Sequence, residues 1–325
     1  MKYNMEERNV SELRKEIKAA TELARSGGDV AEIYDSLSSM HKAGNLDQSL
    51  FLNFGWLIYY KLKHTPLNSV LPRKRLLIQY LNLNLPRPSL LHSLILNEAI
   101  KLKKNSPSQF RIRDFMELWG IDNLRDEDWE KFKPESGHAT NSLVENLIGV
   151  YTREIKKDRT AASEEFGRLL DKAIEVYRSN AHLPLYRPIV LESQGRQEEA
   201  LACYRKLLKR WPRKFFLWSR AEELLPASDL DTRIALLSKA VTLVRDENFL
   251  GDIRLRLANV LHKKGLHHHA KHELNQYQSL YVSRRWHIKA WHGTLSRRIE
   301  AAAPGVSPAP TPYDAFIAPV MQFPQ

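Results

Sequence analysis

Apolar residues recur at spacings of three and four along most of this chain, which is the pattern of amphipathic α-helices that bury one face. In the first half this pattern predicts helices over residues 11–26, 29–43, 46–64, 74–85, 89–104, 110–120 and 126–132. In the second half it predicts helices over residues 140–157, 161–179, 185–194, 197–211, 214–225, 231–244, 250–264, 267–282 and 287–301. No stretch alternates apolar and polar residues for long enough to indicate a strand. The sequence therefore predicts an all-α protein.

Breaks in this pattern divide the chain into three regions. The segment 134–137, Pro-Glu-Ser-Gly, is typical of a connection. We predict an irregular helical N-terminal region over residues 1–135 and helical repeats over residues 136–300. Six of the last 25 residues are prolines and only Asp314 is charged, which predicts a Pro-rich, extended tail over residues 301–325.

Three alanines recur at intervals of 35 residues within the predicted helices, at positions 200, 235 and 270. A fixed period near this length is typical of helix-turn-helix repeat arrays. We expect each alanine to supply a small side chain where two antiparallel helices approach closely. A glycine precedes the first and the last of these helices, because glycine adopts the left-handed cap that ends a helix without steric cost. The residues predicted to build the repeat packing are Gly195, Ala200, Tyr204, Ala235, Gly265, Ala270 and Leu274.

The repeat carries a recognisable order of residue types. A turn glycine, a helix alanine, an aromatic residue and a closing proline follow one another at Gly195, Ala200, Tyr204 and Pro212. A similar order returns at Gly265, Ala270, Leu274 and Tyr277, with the glycine and the alanine again five residues apart. This arrangement resembles the second half of a tetratricopeptide repeat, most clearly over residues 181–300. The resemblance implies an α-solenoid of helix-turn-helix repeats whose surface holds a protein or peptide partner.

The positive charge of the chain is concentrated in the predicted repeats. The 325 residues carry a formal net charge of +12, and 43% of them are hydrophobic, which is sufficient for a substantial core. Residues 201–300 alone hold 20 Lys and Arg against 9 Asp and Glu. This uneven distribution favours an anionic partner for the repeat region.

Basic and aromatic residues alternate near the end of the repeats, over residues 284–292. Proteins bind single-stranded nucleic acid with cations that contact phosphate and with rings that stack on bases. An alternative interpretation of these tryptophans is that they cover the core on a terminal helix. The candidate contacts to an anion or a nucleic acid are Arg205, Lys209, Arg213, Arg254, Lys263, Lys264, Arg284, Arg285, Trp286, Lys289, Arg297 and Arg298.

Seven of the 12 histidines fall within residues 262–292, where His268 and His272 are one helical turn apart. Two imidazoles at that spacing can chelate zinc or nickel, but a structural or catalytic site needs three or four converging ligands. We therefore favour a basic surface over a metal site. The sequence contains no Gly-rich phosphate loop and no metalloprotease or serine-hydrolase motif. We expect neither enzymatic activity nor a cofactor.

Cysteine content and hydropathy together favour an intracellular protein. Cys203 is the only cysteine, which excludes an internal disulfide and a multi-cysteine zinc site. No run of about 18 apolar residues predicts a membrane span. The polar residues 1–10 do not form the apolar core of a secretory signal. The expectation is a cytoplasmic protein that does not bind membranes.

These features favour a non-enzymatic scaffold or adaptor that binds a protein or peptide through its helical repeats. The alternative is binding of RNA or single-stranded DNA through the basic C-terminal repeats. A regulatory subunit of a larger complex is a third interpretation that fits the same features. The sequence leaves the oligomeric state open.

Overall fold

The computed structural model of this chain describes residues 10–131, 137, 140–320 and 323. Over these residues the chain is helical and contains no strand, so the all-α prediction is confirmed. The α-helices are α1 (Val10–Arg25), α2 (Ala31–Lys42), α3 (Phe51–His64), α4 (Val70–Leu81), α5 (Leu90–Asn105), α6 (Ile112–Trp119), α7 (Leu143–Asp158), α8 (Glu164–Val176), α9 (Leu183–Ser193), α10 (Gln197–Arg210), α11 (Phe215–Glu223), α12 (Leu230–Leu243), α13 (Leu250–Lys263), α14 (His267–Ser283), α15 (Ala290–Ala302) and α16 (Tyr313–Ile317). None of the helices described here has the length and apolar character that crossing a bilayer requires.

The chain divides into two compact units, Met1–Ser179 and Asn180–Gln325. The division falls after α8 rather than at residue 135, where the break in the sequence pattern placed it. The reason is that α7 packs against α5 and α6, so it belongs with the helices that precede it. The Tyr177 hydroxyl, which follows α8, donates to the Trp129 carbonyl oxygen at 2.6 Å and ties this end to the same unit. Most of the predicted connection 134–137 lies outside the described residues.

Buried charges help to assemble the first unit. Arg73 on α4 and Glu98 on α5 form an ion pair of 2.6 Å in which both side chains are almost fully buried. Glu154 on α7 pairs with buried Lys103 on α5. Because an unpaired buried charge is costly, these pairs specify which helix faces meet.

A buried histidine joins α5 to α6 in the same unit. The His92 ring stacks on Trp119 with ring centroids 4.3 Å apart. His92 Nε2 donates to the Trp119 carbonyl oxygen at 3.2 Å, and Trp119 Nε1 donates to the His92 carbonyl oxygen at 3.1 Å. Burial lowers the pKa of His92 to about 4, so the ring is neutral near neutral pH.

In the second unit, each helix from α9 to α14 packs against the next helix in the chain. The three alanines spaced by 35 residues, Ala200, Ala235 and Ala270, are completely buried. Gly195 and Gly265 adopt φ values of +76° and +83° in the turns before α10 and α14, the conformation that glycine adopts at least cost. Small side chains and short turns therefore allow successive helices to pack closely here.

Replacing Ala270 with Leu should lower the free energy of unfolding by about 1–3 kcal/mol, because the larger side chain overpacks a fully buried position. Ala202 on α10 is exposed, so the same replacement there provides a matched control. Urea unfolding of the two variants of the full chain measures the difference. Equal stability of both variants would show that position 270 is not a close helix contact.

The C-terminal tail begins after α15 and is only partly extended over its described residues, 303–320 and 323. Residues 303–312 lack regular structure, whereas α16 and a short 3-10 turn (Ala318–Val320) follow. Val306 and Val320 are buried in the core of the second unit, and Ile317 is buried as well. The tail is therefore extended only in its first part, and apolar side chains towards its end pack against the helices.

Candidate functional site

The tail covers the even-numbered helices α10, α12 and α14 of the second unit. Helix α16 packs mainly on α12. The Arg205 guanidinium on α10 lies 4.9 Å from the centre of the Phe323 ring. This face of the unit is therefore occupied by the chain itself.

Two histidines of α14 hold the extended part of the tail. His268 Nδ1 donates to the Ser307 carbonyl oxygen at 2.8 Å, and His269 Nδ1 donates to the Ala309 carbonyl oxygen at 3.1 Å. The Ala309 backbone N–H donates to the His268 carbonyl oxygen at 3.1 Å. The structure thus gives part of the histidine cluster a packing role.

Within the part of the chain that the structure describes, His268 and His272 are not joined by a third metal-ligating side chain. Among the described residues, no group of three or more His, Cys, Asp or Glu side chains is placed to hold a metal ion. His268 lies exposed and His272 half-buried, and His268 Nδ1 is already used by the tail. The one-turn spacing of these histidines is not accompanied by the converging ligands that a metal site requires.

A buried carboxylate, Glu273 on α14, anchors the tail to the helices. It receives hydrogen bonds from the Thr311 and Tyr313 hydroxyls, both at 2.5 Å, and forms an ion pair of 2.7 Å with Arg254 on α13. Arg254 also donates to the Tyr313 hydroxyl at 3.0 Å. Burial, together with the charge of Glu273, raises the pKa of Tyr313 well above its usual value. The hydroxyl therefore stays protonated and available as a donor.

The odd-numbered helices carry an open groove instead. It lies along α11, α13 and the beginning of α15, and its volume is about 490 Å³. We call it the aromatic groove, because its apolar lining includes Phe215, Phe216, Phe249 and Trp291. Phe216, Phe249 and Trp291 are 36%, 57% and 38% exposed, respectively. Clustered exposure of large apolar side chains on a folded protein marks an interaction site.

Ion pairs line the polar side of the aromatic groove. Glu223 forms ion pairs with Arg220 and Arg256, each at 2.5 Å. Lys289 pairs with Asp252 at 2.5 Å. These pairs hold the cations in place and neutralise most of their charge, so the groove presents oriented donors around an apolar centre rather than a strongly positive surface.

Arg256 also contacts buried residues of α11. It approaches the fully buried Glu222 on α11 at 3.1 Å, and Arg233 on α12 binds the same carboxylate at 2.5 Å. Arg256 also donates to the Ser219 carbonyl oxygen at 3.2 Å. The guanidinium is thereby fixed between α11 and α13 before any ligand arrives, which reduces the entropy lost on binding.

The structure divides the basic residues selected from the sequence into two groups. Some serve internal contacts: Arg205 with Phe323, Arg254 with Glu273, Lys264 with Asp231 and Lys289 with Asp252. The others are exposed and form no ion pair with the described residues; they are Lys209, Arg213, Lys263, Arg284, Arg285, Arg297 and Arg298. Only the second group has its charge available to an anionic partner.

Trp286 lies beside two of these free cations, Arg284 and Arg285. Its ring is 40% exposed and contacts Tyr281 edge-on, with centroids 5.4 Å apart. Arg285 adopts a left-handed conformation with φ of 55°, which places a turn between α14 and the residues before α15. This turn brings two of the free cations together with an exposed aromatic ring.

Sequence reasoning missed Phe216, Phe249 and Arg256 as groove residues. Each lies in an ordinary amphipathic segment, and nothing local distinguishes an exposed phenylalanine from a buried one. The available signal was that Phe215-Phe216 and Phe249 each stand at or just before the start of a helix, where buried stripes are least regular.

Comparison with family models gives a match to part of the chain. A domain of unknown function, DUF7017, matches residues 181–302. The match takes in α9 to α15, and with them the aromatic groove, and ends before the tail. No curated protein matches the chain.

Proposed function

We propose that the second unit is a tetratricopeptide-like array that acts as a non-enzymatic scaffold and binds a segment of a partner protein in the aromatic groove. The observation that carries this proposal is the contrast between the two faces. The tail covers the even-numbered helices, whereas the odd-numbered helices keep three large aromatic side chains exposed within one groove. Extended peptides commonly bind such grooves through one or two buried aromatic or aliphatic anchors.

The charge of the second unit indicates the chemistry of the partner segment. Residues 180–325 contain 22 Lys and Arg against 13 Asp and Glu, a formal net charge of +9. An acidic segment is therefore attracted to the unit as a whole. Within the groove, however, the cations are already paired, so apolar contacts must supply most of the affinity. We infer a peptide with aromatic or large aliphatic anchors flanked by Asp or Glu.

This chemistry favours a peptide over a nucleic acid in the groove. Phosphate binding draws its free energy from unpaired cations that release counterions. The groove cations Arg220, Arg256 and Lys289 each have a carboxylate partner. Nucleic-acid binding remains a distinct hypothesis for the exposed cations of the turn around Trp286 and of α15, and the two hypotheses require different residues.

Replacing both Phe249 and Trp291 with Ser should weaken peptide binding at least tenfold. The reason is that loss of an anchoring aromatic side chain typically costs about 2 kcal/mol or more of binding free energy. Fluorescence anisotropy of the full chain with labelled peptide pools measures this, using pools that pair Phe or Trp with Asp and Glu. Val282 is 62% exposed on α14 outside the groove lining, so Val282→Ser is the matched control.

A titration with nucleic acid tests the alternative function. A labelled single-stranded oligonucleotide is titrated at about 50 mM and 200 mM salt, where phosphate contacts lose affinity steeply. Tight oligonucleotide binding that is lost when Arg284, Arg285, Arg297 and Arg298 become Ala, but is unaffected by the groove variant, would replace the peptide proposal. If none of the peptide pools that combine acidic and aromatic residues binds the wild-type chain, the peptide proposal is wrong.

A further inference from the structure

A second pocket lies in the first unit, between α5 and α7, with a volume of about 370 Å³. Its rim carries three basic side chains, Lys104 from α5 and Arg153 and Lys157 from α7. All three are exposed. Apolar atoms of Val150 and the backbone turn at Pro107 complete the walls.

The floor of this pocket is an ion pair whose two side chains also form several hydrogen bonds to the backbone. Glu154 pairs with Lys103 and also receives the backbone N–H groups of Ile112 at 2.9 Å and Arg113 at 3.1 Å. Lys103 donates in addition to the Pro107 and Phe110 carbonyl oxygens, both at 2.8 Å. The one carboxylate among the lining residues is therefore already occupied.

Within the described residues, the three rim cations have no carboxylate partner. Lys104 Nζ donates to the neutral Asn146 Oδ1 at 2.7 Å. Lys104, Arg153 and Lys157 form no ion pair with any carboxylate in the part of the chain that the structure describes. Partial burial and the nearby charge of Arg153 lower the pKa of Lys104. Three like charges around one concavity repel one another, and a multivalent anion between them would relieve this repulsion.

We propose that this pocket binds a small phosphate-bearing molecule. The Arg153 guanidinium matches two phosphate oxygens with its planar pair of donors, and Lys104 and Lys157 supply point charges on either side. Three positive charges fit the two to three negative charges of a phosphate ester or a diphosphate. The volume exceeds that of a lone phosphate group, and Val150 and Pro107 offer an apolar wall to the rest of the ligand. This site is separate from the aromatic groove and does not rest on its proposed function.

Isothermal titration calorimetry of the full chain with inorganic pyrophosphate and with adenosine diphosphate, at about 50 mM salt, tests the proposal. We expect saturable binding of one ligand per chain. Arg153→Gln and Lys157→Gln should each weaken it at least tenfold, since each removes a direct charged contact. Both side chains are exposed, so both variants are expected to fold.

Arg168→Gln provides the matched control, because Arg168 is exposed on α8, pairs with Glu165 and does not line the pocket. This variant changes the net charge by the same amount and should bind as the wild type does. Tighter binding of adenosine diphosphate than pyrophosphate would assign a role to the apolar wall. Absence of saturable binding by either probe, or equal weakening in the control, would overturn the proposal.

Discussion

Replacing Glu273 with Gln should lower the free energy of unfolding of the second unit by about 3–5 kcal/mol, because it leaves Arg254 largely buried without its counter-charge. The replacement also weakens the charged hydrogen bonds from Thr311 and Tyr313, at 2.5 Å each. We expect the tail to separate from α14 before the rest of the unit unfolds, since two of its contacts converge on this one carboxylate.

Two measurements on the full chain check this expectation. Urea unfolding gives the loss of stability, and amide hydrogen exchange reports whether the residues 303–320 lose protection first. Glu300→Gln is the matched control, because Glu300 is exposed and binds the backbone N–H of Gly305 and the Lys271 side chain. It should leave stability nearly unchanged. A Glu273 variant as stable as this control would show that the buried network does not hold the tail.

Acidification from pH 6.5 to pH 4 should destabilise the first unit by about 3 kcal/mol through His92 alone. Burial lowers the pKa of this histidine from 6.5 to about 4, so the unfolded chain binds a proton in this range that the folded chain does not. Stability contributed by the neutral ring is complete above pH 6.5 and is lost as the pH falls towards 4. The new proton would sit on Nδ1, which is buried and has no partner among the described residues.

The pH dependence of urea unfolding, followed by tryptophan fluorescence, measures this loss. His92→Phe keeps a ring against Trp119 but removes the titrating group, so it should flatten the slope of stability between pH 4 and 6.5. The variant also loses the hydrogen bond to the Trp119 carbonyl oxygen, which lowers its stability at every pH without changing the slope. An unchanged slope in this variant would assign the pH dependence to other groups.

Local features of the chain predicted much of the helical structure. The spacing of apolar residues is a property of each helix by itself, and the all-α prediction holds for this reason. Gly195 and Gly265 adopt positive φ where a helix end demands it, and Ala270 is buried where a small residue is needed. In each case the residues concerned lie close together in the sequence, on one helix or on two consecutive helices.

The contacts of the C-terminal tail could not be predicted from local sequence features. Its prolines and lack of charge indicate an extended segment, and residues 303–312 do lack regular structure. Its contacts, however, join Thr311 and Tyr313 to Glu273, across 38 and 40 residues. Amino-acid composition indicates the backbone preference of a segment. It contains no information about which distant side chain accepts hydrogen bonds from the hydroxyl groups of that segment.

The amino-acid sequence by itself determined the helical class, the tight turns, the buried alanines and the positive charge of the second unit, because these depend on residue type and local spacing. Only the tertiary structure decided which charges are free and which aromatic side chains are exposed. Arg254 and Arg284 are alike as residues, yet one lies against Glu273 and the other faces solvent. The physical reason is that ion pairing and burial depend on the face of the neighbouring helix, which is set by the packing of the whole unit.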